Sequence, residues 1–183
     1  RALLKRFPRE TLLPGDVLVT NDPWLVAGHL DDVAVMTPIF KGGEAVGFVG
    51  VMGHVTDIGG TKRGGASELY EEGLQIPPLK LYKGGQVNED LLHLIASNVR
   101  EHEQVLGDIM ALVGAGDMGA RAVADLLGEY GLRDLGAFSA IAQRRSEDAM
   151  RKAIAAVPNG QFRSAISVDI GGQLTRLPVT IEI

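Results

Sequence analysis

The chain has 183 residues, 45% of them hydrophobic and 5% aromatic, which is about one domain's length and enough to bury a core. Its formal net charge is −5, and its lysines and arginines are scattered rather than gathered in a stripe, which excludes the electrostatic footprint of a nucleic-acid binder. With no cysteine, disulfides, thiolate nucleophiles and Cys-ligated zinc or iron–sulfur sites are excluded as well, so any metal must use His, carboxylate, amide or water ligands.

In chain order, Arg1 to Pro8 reads as the end of a helix, and a chain opening on Arg rather than Met reads as a piece of something longer. Short β-branched and apolar runs follow at Asp16–Thr20, Val33–Phe40 and Ala45–Gly53, the last two joined by the hairpin turn Lys41-Gly42-Gly43-Glu44. Their near-continuous apolarity predicts strands covered on both faces, and Gly47, Gly50 and Gly53 predict close backbone approach. Asn21-Asp22-Pro23 and Gly59–Gly65 are loops by turn chemistry; Asn21 and Asp22 read equally as ordinary turn residues or as a polar lip of a site. Asn88 is placed to cap a helix carrying Leu91, Leu92, Ile95 and Val99 on one stripe. A second helix is expected from about Met118 to Tyr130, closed by Gly131, and a third from about Leu135 to Val157 that buries Phe138, Ile141, Ala142, Ala149 and Ile154. Pro158-Asn159-Gly160 stops that helix, and Gln161–Asp169 and Leu177–Ile183 read as two strands joined by a Gly-rich turn. The expected class is therefore α+β: a β-rich part over residues 1–85, a helical part over 86–157 and a β-hairpin over 158–183. No apolar stretch approaches the ~20 residues of a membrane span and no signal peptide is visible, so no membrane association and a cytoplasmic location are expected.

A pentapeptide pattern occurs twice, Gly28-His29-Leu30-Asp31-Asp32 and Gly53-His54-Val55-Thr56-Asp57, each Gly-His-x-x-Asp beside an apolar run. His29, Asp32, His54 and Asp57 supply N and O donors suited to a hard or borderline divalent metal. Residues three apart on a flat strand point to opposite faces, so convergence places both pairs at strand–loop junctions. The alternative is two histidines lying by chance near common aspartates. Glu68 and Glu72 share one face if Ser67–Gly73 is helical, either as site carboxylates or as a solvated acidic face. His93 and His102 stand at no metal-like spacing and read as structural or surface residues.

Gly114-Ala115-Gly116-Asp117-Met118-Gly119 satisfies G-x-G-x-x-G, but no second parallel strand follows its helix. The segment reads instead as a helix–helix connection with small residues for close packing. Neither a G-x-S-x-G nucleophile elbow nor a G-x-x-x-x-G-K-[ST] phosphate loop is present.

Taken in order, Gly15-Asp16-Val17, Thr20-Asn21-Asp22-Pro23, the two Gly-His-x-x-Asp segments, Asp57-Ile58-Gly59-Gly60, Glu68-Leu69-Tyr70 with Glu72-Gly73-Leu74 and Ile76-Pro77-Pro78, then Ser97-Asn98-Val99-Arg100 and Leu106-Gly107-Asp108, closely resemble the hydantoinase B / 5-oxoprolinase family over essentially the whole chain. The resemblance implies part of the catalytic B-type component of an ATP-dependent enzyme that opens cyclic amides such as hydantoins or 5-oxoproline; relatives carboxylate ketones such as acetone. It further implies a hydantoinase A-like ATPase subunit or domain of actin-like fold, which handles ATP and phosphorylates the substrate or bicarbonate, and an oligomeric assembly. The same resemblance implies a divalent metal (zinc, manganese or iron) in this region, with His29, Asp32, His54 and Asp57 on the matching positions and Glu72 and Glu68 as candidate catalytic carboxylates. Many relatives read Gly-His-His-x-Asp, whereas Val55 stands here in place of the second histidine. A component of a ketone carboxylase and a non-catalytic assembly fragment, inactive alone, are the competing readings.

Overall fold

In the computed structural model, which describes residues 2–61 and 65–183, the β-branched runs of the first third pair into one antiparallel sheet. A short helix α1 (Ala2–Arg6) and a 3-10 turn (Arg9–Thr11) lead into β1 (Val17–Thr20), β2 (Asp32–Lys41) and β3 (Glu44–His54). Then come α2 (Leu69–Glu72), β4 (Leu79–Lys83), β5 (Gln86–Val87), α3 (Glu89–Asn98) and α4 (His102–Glu129). The strand order is β3-β2-β1-β4-β5. Lys62, Arg63 and Gly64 of the expected Gly59–Gly65 loop lie outside the described residues. The mixed helix-and-strand class agrees with the α+β expectation.

Two strands, β4 and β5, have no counterpart in the sequence reading. Leu79-Lys80-Leu81-Tyr82-Lys83 is short and interrupted by lysines, and its pairing with β1 on one side and β5 on the other makes it a strand. The expectation of strands covered on both faces holds for β1, whose four residues are all buried, but not for the edge strand β3, which is half-exposed along most of its length. Of the three strand glycines, Gly53 fits close approach: a Cβ there would stand 2.9 Å from Leu112 of α4. Gly50 faces open space.

Asn88 caps α3, its side chain accepting the Leu91 N–H, and Leu91, Ile95 and Val99 enter the core with Val19, Val33 and Val35 of the sheet and Val105 and Ile109 of α4. Each such side chain contributes roughly 1.5–3 kcal/mol of burial.

The expected break between helices at Gly114–Gly119 is absent, since α4 runs unbroken through it. Small residues serve here as a flat face rather than as a turn. A Cβ on Gly116 would sit 2.6 Å from Thr37 Oγ1, and one on Gly119 would sit 3.1 Å from Val49, so the helix lies directly on β2 and β3. Gly116→Ala is expected to lower stability by about 1 kcal/mol, the cost of overpacking against a stiff threonine outweighing alanine's better helix preference. Titration calorimetry with NAD or FAD is expected to show no binding by either form, because a phosphate-binding turn needs the helix to begin where this one continues. At its far end α4 closes as expected on Gly131 (φ +61°), with Leu132 N–H donating to Leu127 O. Lys41 Nζ, at the end of β2, donates to the carbonyls of Leu127 and Leu132, a cation at the negative end of the helix dipole.

The contacts divide the chain into a unit of residues 1–135 and a second of residues 136–183. The second holds α5 (Gly136–Ala155) and the hairpin β6 (Gln161–Ile170) and β7 (Gln173–Glu182), turning at Gly171-Gly172. The expected burial of Phe138, Ile141, Ala142, Ala149 and Ile154 is corrected: no residue of α5 is buried, and Phe138 is 66% exposed. Periodicity identifies residues that share a face, not whether anything lies against that face.

Candidate metal centre

The loop that carries the first Gly-His-x-x-Asp segment is anchored from beneath by Asn21. This residue is fully buried at the end of β1; its Nδ2 donates to Leu30 O (2.8 Å) and Leu74 O (3.0 Å), and its Oδ1 accepts Ile76 N–H (2.6 Å). Asn21 is thus neither a solvent-facing turn residue nor a lip but the internal strut of both loops. Asp22 does behave as a turn residue, accepting Trp24 N–H at 3.0 Å. Leu30, 1% exposed, plugs the loop into the core.

β2 begins at Asp32 and β3 ends at His54, and the register pairs these two residues directly. Both segments therefore lie at strand–loop junctions at one end of the hairpin. Asp32 touches both imidazoles: Oδ1 lies 2.8 Å from His54 Nδ1, and Oδ2 lies 3.3 Å from His29 Nε2. The two rings stand edge to face with centroids 5.4 Å apart. Asp31, not singled out in the sequence, joins them, with Oδ2 3.8 Å from His29 Nδ1. His29, Asp31 and His54 offer ligand atoms within 4.8 Å of one another. His29 Nδ1 is buried and has no hydrogen-bond partner among the described residues, the mark of a donor atom shaped for something beyond the chain. Two imidazoles and two carboxylates suit a borderline divalent cation.

Val55 is fully buried in the core, and its N–H donates to Asp31 O (2.8 Å), so at this position the chain contributes a backbone bond that holds the first segment rather than a donor side chain. Asp57 is brought to the same region but is bonded elsewhere. Its Oδ1 accepts from the Arg100 guanidinium (2.8 Å) and from Gly59 N–H (3.3 Å), and its Oδ2 accepts the Arg100 main-chain N–H. Burial pushes the Asp57 carboxyl up, but the Arg100 and Gly59 N–H groups and the guanidinium outweigh it and hold it below the usual carboxylate range.

Glu72, the last residue of α2, accepts Leu30 N–H on Oε2 at 3.2 Å, one residue from His29. Glu68 does not share a helix face with it. It precedes α2 in extended conformation, exposed, and its N–H donates to Glu71 Oε2 (3.3 Å). A cavity of about 630 Å³ opens beside the cluster, lined by His29, Asp31, Asp57, Glu72, Arg100 and Glu101 but not by Asp32, His54 or Glu68. His93 and His102 stay exposed on α3 and α4. Asp31 and Arg100 are the site residues that the sequence reading left unassigned. A second aspartate adjoining the first motif was a signal for Asp31; only the fold brings Arg100 to Asp57.

Fold and site together define a mixed α/β domain with a histidine–carboxylate cluster at one end of an antiparallel sheet. Residues 1–183 match the family model for hydantoinase B/oxoprolinase, and the chain belongs to that family. It is 35% identical over 179 residues to the beta subunit of caprolactamase from Pseudomonas jessenii, covering 95% of this chain and 31% of that one. It is 33% identical over 158 residues to the B-type subunit of a putative D-/L-hydantoinase from Pseudomonas sp. (strain NS671), covering 84% of this chain and 27% of that one. The crystal structure of ATP-dependent caprolactamase from P. jessenii superposes with a TM-score of 0.82 at 34% identity over 92% of this chain and 30% of that chain. A nucleotide-free acetone carboxylase structure shares the fold, with a TM-score of 0.77 at 21% identity over 98% of this chain and 26% of that chain. The chain thus spans about a third or less of the length of these relatives. Among the described residues no helix is long and apolar enough to cross a membrane.

Proposed function

We propose that this chain is the metal-bearing part of the B-type polypeptide of an ATP-dependent amidohydrolase that opens cyclic amides of the hydantoin or 5-oxoproline type. The observation that carries the reading is Asp32 set between the imidazoles of His29 and His54, beside a cavity whose wall includes His29 and Asp31. His29, Asp32 and His54, with Asp31 beside them, would hold a divalent cation, and Asp57 closes the wall through Arg100. Such an ion, when bound, polarises an amide or acyl-phosphate oxygen and acidifies a water.

The chain's own groups do the rest. Glu72 keeps one carboxylate oxygen on Leu30 N–H, which fixes its direction, and uses Oε1 to take the proton of the attacking water. Glu68, outside the cavity, serves the start of α2 and not the proton transfer. ATP is used by an A-type ATPase subunit or domain, which agrees with relatives described as a beta subunit and as ATP-dependent.

The test is turnover by the full-length protein with its ATPase partner, supplied with ATP, a divalent metal and, in separate assays, 5-oxoproline, hydantoin, or acetone with bicarbonate. Ring-opened product formed with ATP consumption is expected, and Glu72→Gln is expected to lower kcat by about 100-fold or more. Consumption of a ketone and bicarbonate with no ring opened would replace this reading by the carboxylase one.

A further inference from the structure

Arg100 lies on no catalytic path proposed above, yet its side chain makes three directed contacts to the loop that carries Asp57. Its guanidinium donates to Asp57 Oδ1 (2.8 Å) and to the carbonyls of Gly59 (3.2 Å) and Gly60, while its main-chain N–H caps Asp57 Oδ2. One side chain thus binds three acceptors of the 57–60 loop in a planar fork, a geometry particular to arginine.

That loop is wedged, not merely tethered. Gly59 (φ +84°) passes so near α3 that a Cβ would stand 2.3 Å from Asn98 O, and Gly60 (φ +59°) so near α2 that a Cβ would stand 2.4 Å from Glu71 O. Thr61 N–H donates to Glu71 O (2.7 Å), and Leu74 N–H donates to Ile58 O (2.8 Å), so residues 58–61 are zipped along the C-terminal end of α2 and the residues that follow it. From α2, Glu72 reaches Leu30 N–H, the residue between His29 and Asp31. The contacts form an unbroken chain from Arg100 through the loop and α2 to the His29 backbone.

We infer that Arg100 is the positioning residue of the site: it fixes residues 57–61, which hold α2 so that Glu72 sets the backbone next to His29. Its importance for the cation rests on the site proposed above; the mechanical link does not. A helix of only four residues has little stability of its own, so its position is decided by what it is bonded to.

The test uses amide exchange in the full-length protein without metal, followed by titration with Co(II). In Arg100→Ala the amides of Leu30 and of residues 57–61 are expected to exchange at least about tenfold faster, with those of Val19 and Ile95 unchanged, since only a local unit has been released. Arg100→Lys, with a single ammonium for three acceptors, is expected to give a smaller increase at the same amides, and it decides the matter if the alanine variant does not fold. Co(II) is expected to bind Arg100→Ala more weakly and with a shifted visible band. Acceleration confined to 57–61 with Leu30 at its wild-type rate would overturn the inference. Failure of the wild-type protein to bind Co(II), with Leu30 still accelerated, supports the link and sinks the metal reading alone.

Discussion

Replacing His29 or His54 by alanine is expected to strip most of the bound divalent metal from the protein, whereas His93→Ala leaves it in place. The two imidazoles are 5.4 Å apart at their centroids and share Asp32, while His93 is an exposed residue of α3 with no part in the cluster. Removing one donor from so small a set leaves the cation with too few partners, and even outer-shell losses cost about 10- to 100-fold in affinity. Asp32→Ala is expected to be at least as severe, because it takes a carboxylate from both rings at once. A cation that binds only the folded chain stabilises it by mass action, about 2.7 kcal/mol at one hundred times the Kd. Chelation is therefore expected to lower Tm by about 5–10 °C for a unit of this size, and acidification to do the same as protons compete for the ligands. Elemental analysis and scanning calorimetry with and without a chelator give the answer; full metal content in His29→Ala would remove the cluster from consideration as the binding site.

Much of this site was legible because its parts obey local rules. Apolar runs end where Gly-His-x-x-Asp begins and the Lys41–Glu44 turn closes the hairpin, but a one-residue shift between Ile39 and Phe40, which the sequence does not announce, is what brings Asp32 opposite His54. Asn88 and Gly131 were readable as helix ends for the same reason, each satisfying backbone groups within a few residues of itself. What escaped depends on partners far away in sequence. Leu79–Lys83 enters the main sheet through β1, more than fifty positions earlier, and Arg100 acquires its role only when α3 ends against Asp57. Gly114–Gly119 misled in the opposite sense, since glycine is both the residue of turns and the residue that lets a helix lie flat on a sheet. The stripe of α5 was readable as a face, but nothing local to it specifies its cover.

Asp16→Ala is expected to destabilise the first unit by about 3 kcal/mol. Asp16 is 1% exposed and sits where two turns cross: Oδ2 accepts Leu13 N–H (2.9 Å) and pairs with Lys80 Nζ, and Oδ1 accepts Gly84 N–H (2.8 Å). Gly15 beside it (φ +84°) leaves no room for a Cβ against Gly85, and Gly85 N–H donates to Gly15 O (2.9 Å), a bond that keeps the two turns together over what the carboxylate abandons. Alanine would leave two N–H groups and a largely buried ammonium without their acceptor, whereas Lys80→Met, which keeps both N–H bonds, is expected to cost less. Burial pushes the Asp16 carboxyl up, but Lys80 together with the Leu13 and Gly84 N–H groups outweighs it and brings it below its ordinary value of 3.8. A carboxyl depressed by folding contributes stability that is fully present above its unfolded pKa and is lost as pH falls through the folded one. Wild-type stability should accordingly decline below about pH 4, and Asp16→Asn should flatten that part of the curve while starting from a lower plateau. Urea unfolding of the two proteins between neutral and acid pH measures both quantities, and parallel curves would show that Asp16 does not carry the acid sensitivity.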